Sequence, residues 1–334
     1  MTNHPIEISV VCPFYNEAGG IEHAMRQMVL QLSRLDSEWE LILVNDGSTD
    51  ASFGLAANVA EYYPRVRVLG YPDNRGRGHA LRAGLEEAHG EIVVTTELDL
   101  SWGENIVHEL VRYLRENQLF DIVVASPHLE GGGFRNIPAG RVWLSRLGNL
   151  FIRACLPGAV ATNTGMTRAY RRRAIRALPL YEDGKEFHVE VIAKAHALGL
   201  SVLEIPAELA WQSRDRGRRR SKWSLVEMSL GHIGCVVKAC PAQVVCMMGL
   251  GALLLAFAAL VMEPLFIGAP EVATPFSLSL FLFRASLVLL ASAIPLAWLG
   301  GRTLRNWRRQ SNAQLAAWKL GAGADAASRL LPPL

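Results

Sequence analysis

Short apolar and β-branched runs at 6–11, 41–44, 66–69, 92–95 and 122–125 alternate with helix-forming stretches. The spacing of roughly thirty residues is that of βαβ units, and it restricts the first two thirds of the chain to an α/β fold with a parallel sheet, Rossmann-like in its first half. In open sheets of this kind ligands bind outside the carboxyl ends of the strands. The loops at those ends carry Glu17 after the first run, Asp46 after the second, Arg75 and Arg77 after the third, and Glu97 and Asp99 after the fourth. Such polar loops suit a nucleotide.

The fourth loop is the most informative. Ile92, Val93, Val94 and Thr95 read as a strand buried on both faces. Two carboxylates spaced by one residue, Glu97 and Asp99, then stand at its carboxyl edge, where they can hold a hard divalent cation that in turn binds phosphates. Gly76 and Gly78 read as a tight turn, since a short glycine motif alone is weak evidence of phosphate binding.

Beyond residue 140 the pattern changes. Arg141, Ser145, Asn149 and Arg153 recur every four residues and so lie along one helical face, either as a solvated stripe or as a phosphate receptor built from two guanidiniums, a hydroxyl and an amide. A helix is expected over 187–198, with Glu186 and Glu190 near its start, where acids suit the helix dipole. A strand is expected over 202–205. Arg214, Arg216, Arg218, Arg219, Arg220 and Lys222 then crowd into nine residues.

Two almost uncharged stretches follow. Residues 244–262 carry no charge and would span about 28 Å as a helix, near the thickness of a bilayer core. Residues 276–300 carry one, Arg284. The segment between them has Glu263 and Glu271 but no Lys or Arg, whereas Lys238 precedes the pair and Arg302, Arg305, Arg308 and Arg309 follow it. The positive-inside rule places both ends in the cytoplasm. The expected organisation is a cytosolic domain over 1–222, an interfacial amphipathic segment over 223–243, transmembrane helices over 244–262 and 276–300, and a cytosolic basic tail over 301–334. Arg284, costly in lipid, is expected to face the other helix or a neighbouring subunit, which allows a homo-oligomer.

A net charge of +3 argues against nucleic acid as partner. The five cysteines show no CxxC and no zinc spacing, and read as buried thiols in a reducing compartment. The first residues run into a strand without a secretory signal, which points to a cytoplasmic location for the α/β domain at the inner face of the cell membrane.

Taken together, Pro13-Phe14-Tyr15-Asn16-Glu17, Asn45-Asp46-Gly47-Ser48-Thr49-Asp50, Asn74-Arg75-Gly76-Arg77-Gly78 with Ala80-Leu81-Arg82-Ala83-Gly84, and the acid pair resemble the family 2 glycosyltransferases with a GT-A fold. Thr164 to Tyr170 and Ser221-Lys222 narrow the resemblance to the polyprenyl-phosphate, dolichol-phosphate mannosyltransferase-like branch. The resemblance covers about residues 6–225 and implies inverting transfer of a sugar from a UDP- or GDP-sugar to a polyprenyl phosphate at the membrane surface. It also implies that Pro13, Tyr15, Glu17 and Asp46 hold the nucleoside, and that Arg77 assists at the phosphates. Glu97, Asp99 and Ser101 would surround a Mg²⁺ or Mn²⁺. Arg141, Arg153 and Arg214 or Arg216, with Ser221 and Lys222 nearby, would meet the acceptor phosphate. The family's Asp-x-Asp stands here as Glu97-Leu98-Asp99, so the first carboxylate reaches one methylene further.

An anionic phosphate acceptor needs no general base, and none is named. Two other readings share these residues. One is a membrane-bound family 2 enzyme with a hydroxyl or other lipid acceptor. The sequence Gln212-Ser213-Arg214-Asp215-Arg216 lacks the Gln-x-x-Arg-Trp of processive synthases. The other is a non-catalytic, membrane-anchored sugar-nucleotide-binding protein, supported only by Glu97.

Overall fold

The computed structural model describes residues 5–99, 101–156, 158–211, 231–232, 234–262 and 275–319. Its centre is a seven-stranded sheet in the order β3 (Val66–Tyr71), β2 (Trp39–Asp46), β1 (Ile8–Phe14), β4 (Ile92–Thr95), β7 (Arg168–Arg171), β5 (Ile122–Ser126) and β8 (Val202–Pro206). Strand β1 pairs in parallel with β2 and β4, with Val10 opposite Leu41 on one side and Val94 on the other. Strand β3 extends that half beyond β2. In the other half β5 runs parallel to β8. A second sheet pairs β6 (Gly133–Arg135) with β9 (Glu208–Ala210).

Successive strand residues point to opposite faces and build two cores. Val10, Cys12, Leu41, Leu43 and Val94 pack on one face with α1 (Ile21–Leu32), α2 (Ser52–Ala60) and α4 (Ile106–Glu116). Ile21, Met25, Met28, Val29 and Leu32 supply the inward stripe of α1 at helical spacing. Val11, Ile42, Val44 and Val93 pack on the other face with α3 (Arg77–Glu87) and α7 (Phe187–Ala197).

Strands β6 and β9 were not expected, β1 runs on through Pro13 to Phe14, and two further strands differ from the sequence expectation for a visible reason. Strand β2 is longer at both ends: at its start buried Glu40 is satisfied inside the sheet, by the Ser9 hydroxyl at 2.6 Å, Arg67 at 3.2 Å and the His89 N–H at 2.8 Å, and at its end Asn45 and Asp46 stay in register with Gly70 and Tyr71. Burial alone would raise the pKa of Glu40, and these donors bring it below the usual value. Strand β7 was not expected at all. It runs antiparallel between β4 and β5, so the sheet is mostly rather than wholly parallel. Two terminal arginines hide its strand character. Arg168 is fully buried, its guanidinium donating to the carbonyls of His188 at 2.8 Å and Asn163 at 2.6 Å.

After the sheet domain, residues 234–239 are helical, and two helices long and apolar enough to cross a membrane follow, Pro241–Met262 and Pro275–Lys319. They pack against each other as a hairpin. The second helix does not stop at 300. It continues through Gly300 and Gly301, so the basic tail is helical to Lys319, and the helix packs against α6 (Arg172–Ala177). Arg284 is exposed on the hairpin rather than held between its helices. Residues 212–230, 263–274 and 320–334 lie outside the described residues, and with them Arg214, Arg216, Ser221, Lys222, Glu263 and Glu271.

Candidate active site

The carboxyl ends of β1, β2 and β4 converge on one crevice, and hydrogen bonds between loops shape it. Asn16, in the left-handed region at φ 54°, accepts from the Thr49 N–H at 2.8 Å and gives its own N–H to the Ser48 hydroxyl at 3.0 Å. Asparagine tolerates that conformation. The Glu17 N–H donates to the Ser52 hydroxyl at 2.7 Å. This stitching leaves the Tyr15 and Glu17 side chains exposed at the rim beside half-buried Pro13.

Asp46 is placed differently. Its buried carboxylate accepts from the Tyr71 hydroxyl at 2.7 Å, Asn74 Nδ2 at 3.0 Å, and the N–H groups of Arg75 at 2.9 Å and Gly76 at 3.1 Å. It therefore frames the loop that leads into α3, and burial together with this carboxylate pushes the Tyr71 phenol far up.

The turn after β4 brings Glu97, Asp99 and Ser101 together. The Ser101 N–H donates to Asp99 Oδ1 at 3.0 Å and its hydroxyl to Glu97 Oε2 at 3.1 Å. From the N-terminus of α3, Arg77 reaches Glu97 Oε1 at 3.3 Å, with side chains 32% and 29% exposed. Both groups are thus accessible from the crevice. Below them, burial first and then the Asp99 and Glu97 charges push the Cys12 thiol far up, which keeps it neutral and unsuited to act as a nucleophile.

The donor set is all oxygen, two carboxylates and a hydroxyl, and suits a hard divalent cation. No group of three or more His, Cys, Asp or Glu residues with metal-holding geometry occurs among the described residues. A cation held here would therefore take its remaining ligands from a bound diphosphate or water. The longer reach of Glu97 is used: it allows contact with Arg77 and Ser101 at once.

Gly76 and Gly78 do more than turn the chain. Gly76 has φ +100°, and a Cβ there would lie 2.5 Å from the Asp183 carbonyl oxygen; a Cβ on Gly78 would overlap the Glu182 carbonyl. The loop ahead of α7 comes down on this helix end, and Asp183 O accepts from the N–H groups of Gly78 at 2.6 Å and His79 at 3.1 Å. Those first-turn donors are consumed, so on α3 the side chain of Arg77 is left to meet an anion. This contact was not legible in the sequence, where the glycine pair was its only signal. Gly78→Ala should destabilise the protein by about 1–3 kcal/mol, as overpacking does, and weaken nucleotide binding. Thermal melting and calorimetry check this, and unchanged values of both would contradict it.

Helix α5 (Ala139–Cys155) does not present its polar stripe to solvent. The stripe of Ser145 and Asn149 faces inward: Asn149 is 4% exposed and accepts from the Asn163 N–H at 2.8 Å, while Ser145 contacts His128 Nε2 at 3.3 Å. Five of its large apolar residues are exposed instead, Trp143 at 62%, Leu147 at 55% and Leu150 at 62%, with Leu144 and Phe151 beside them. The arginines separate as well. Twelve residues of helical rise put the backbones of Arg141 and Arg153 about 18 Å apart, at opposite ends of the helix. Arg141 lies over the Trp211 ring at 4.7 Å. Just before Trp211, the Ala210 N–H donates to Ser101 O at 2.8 Å, so the chain enters the basic segment beside the acid turn. Arg153 is exposed at the other end of the helix, where Ile152 and Cys155 join the core cluster that contains Val244 of the first apolar helix.

Residues 9–178 match the family model described as glycosyl transferase family 2. The chain is 29% identical over 261 residues to the undecaprenyl-phosphate 4-deoxy-4-formamido-L-arabinose transferase of Pseudomonas fluorescens, with 75% of this chain and 71% of the relative covered. It is 30% identical over 210 residues to a dolichyl-phosphate beta-glucosyltransferase of Trichomonas vaginalis, with 59% and 62% covered. Among solved structures, glucosyl-3-phosphoglycerate synthase from Mycobacterium tuberculosis in complex with Mg²⁺ and UDP superposes with a TM-score of 0.55 and 25% identity, over 71% of this chain and 80% of that one.

Proposed function

Because the chain belongs to glycosyl transferase family 2 and carries its GT-A fold, we propose that it transfers a sugar from a UDP- or GDP-sugar to a polyprenyl phosphate at the cytosolic face of the cell membrane. The observation that carries the choice of acceptor is the orientation of helix α5. It turns polar residues inward and a row of large apolar residues outward, next to the start of the first apolar helix. A face of that kind fits a membrane surface, where an acceptor with its isoprenoid chain in the bilayer would present its phosphate. The undecaprenyl-phosphate and dolichyl-phosphate relatives support the same class of acceptor.

In this reading Tyr15, Glu17 and Pro13 line the nucleoside side of the crevice, with Asp46 fixing the loop beneath it. Glu97, Asp99 and Ser101 would hold Mg²⁺ or Mn²⁺, which supplies charge neutralisation for the leaving nucleoside diphosphate. Arg77 meets that diphosphate from the α3 side. Arg141 meets the acceptor phosphate together with Arg214 or Arg216 and Lys222, and Arg153 serves the membrane-facing end of α5 instead. The acceptor oxygen forms its bond to the anomeric carbon as the bond to the diphosphate oxygen breaks, the electron pair leaving with the nucleoside diphosphate. One displacement inverts the configuration.

Both apolar helices cross the membrane in this reading, and the basic residues from Arg302 to Arg309 keep both ends cytoplasmic. Exposed Arg284 would then seek a neighbouring copy. The test is incubation of membranes holding the full chain with Mg²⁺ or Mn²⁺, radiolabelled UDP- and GDP-sugars, and undecaprenyl or dolichyl phosphate. Label in a mild-acid-labile lipid is the expected result. Nucleotide binding without any labelled lipid would exclude this acceptor.

A further inference from the structure

Helix α7 contains a buried ion pair that the transfer chemistry does not use. Glu190 and Lys194, one turn apart with side chains 5% and 4% exposed, meet at 2.5 Å. A pair withdrawn from water to this degree is retained only where further partners satisfy it. Glu190 has them: its carboxylate also accepts the N–H groups of Tyr181 and Glu182, each at 3.0 Å. Lys194 donates in addition to the Pro179 carbonyl, and its ammonium lies between two rings, Tyr181 at 4.4 Å and Trp307 at 5.0 Å. Trp307 belongs to the far end of the second apolar helix, beyond its apolar part.

The loop that this pair anchors is the one that closes on α3. Asp183 O caps Gly78 and His79, and Arg82 donates to Glu182 O at 2.5 Å and pairs with the Asp183 carboxylate. One residue before Gly78 stands Arg77, on Glu97. A second tie reaches the same loop from the segment preceding the first apolar helix, where Lys238 Nζ meets Glu182 Oε1 at 2.8 Å. The Lys238 segment therefore lands on this loop directly, Trp307 reaches it through Lys194 and Glu190, and Asp183 caps the helix end that carries Arg77.

We propose that Trp307, Lys194 and Glu190 are positioning residues for the donor: seating Trp307 on Lys194 holds the 179–184 loop in the shape that aims Arg77 at the diphosphate of the nucleotide sugar. The inference rests on the glycosyltransfer reading above. It makes donor affinity depend on how the cytosolic end of the second apolar helix is docked. In this proposal the three residues act on the donor through the loop and Arg77, not by direct contact.

Trp307 is the residue to change, because it is only half-buried and its loss leaves the Lys194–Glu190 pair intact. In the full chain in lipid nanodiscs, Trp307→Ala should weaken binding of UDP or GDP, each titrated with Mn²⁺, by about two- to thirtyfold, the range of a cation–π contact. Trp307→Phe should restore most of it. The donor KM should rise while the acceptor KM and kcat stay within about twofold. Amide exchange should quicken at 181–183 and 78–79 and stay unchanged in β5 and β8. Unchanged nucleotide affinity in Trp307→Ala would overturn the proposal. So would a parallel loss of kcat, both KM values and thermal stability, which is what a merely structural anchor gives. Wild-type protein that binds neither nucleotide would instead remove the glycosyltransfer reading, and the coupling with it, whatever the variants do.

Discussion

Asp99→Asn should fold as the wild type does and lower sugar transfer by about a hundred- to a thousandfold, the scale of removing one preorganised electrostatic contact from a reacting charge. The replacement is nearly isosteric, and an amide oxygen can still accept the Ser101 N–H that Asp99 Oδ1 holds at 3.0 Å. The turn after β4 is therefore preserved, and only a negative charge is lost. Chelation of divalent cations should bring the wild type down to the level of the variant, and the variant should respond little to chelation. Initial rates with and without Mg²⁺ or Mn²⁺ measure both effects. Glu97→Asp reports on the longer side chain: contact with Arg77, now 3.3 Å, should be lost, and donor affinity should fall while transfer persists. Full activity of Asp99→Asn would exclude the acid turn as the centre of the chemistry.

The second large effect is expected on stability. Lys194→Met leaves the Glu190 carboxylate buried without its ammonium and should cost about 3–5 kcal/mol. For a domain of this size that lowers the melting temperature by roughly 6–20 °C. Lys194→Met combined with Glu190→Leu should recover part of the loss, since no charge is then stranded. Recovery should stay incomplete, because the Tyr181 and Glu182 N–H groups that Glu190 now satisfies would lose their acceptor. Thermal melting of the three proteins under identical detergent conditions checks the series. A single variant as stable as the wild type would show that the pair is not held away from water as its 4% and 5% exposures indicate.

The parts of the fold legible in the sequence are those in which one residue pattern serves one local purpose. Strand β4 shows as an unbroken β-branched run because both of its faces are covered, and Glu97 and Asp99 stand out because acids end such a run abruptly, whereas Ser101 is marked only by the family resemblance. The alternation of strands and helices carried the sheet, and the absence of charge carried the two apolar helices. Strand β7 is hidden in the sequence because Arg168 looks like a surface residue until the Asn163 and His188 carbonyls are brought around it. The far end of the second apolar helix looked like a tail because its arginines suggest solvent, while Trp307 finds its partner on another helix far back in the chain.

Periodicity and composition thus determined the α/β class, the crevice at the carboxyl ends of the strands, the acid turn after β4 and the apolar hairpin, since each depends on neighbours within a few residues. Only the tertiary structure decided which face of α5 turns outward, why Gly76 and Gly78 admit no side chain, and where Glu190 and Lys194 spend their charges. Each of those depends on what a distant segment brings to within hydrogen-bonding or van der Waals distance. A helix has two faces, and the covering element, not the helix's own spacing, determines which is buried.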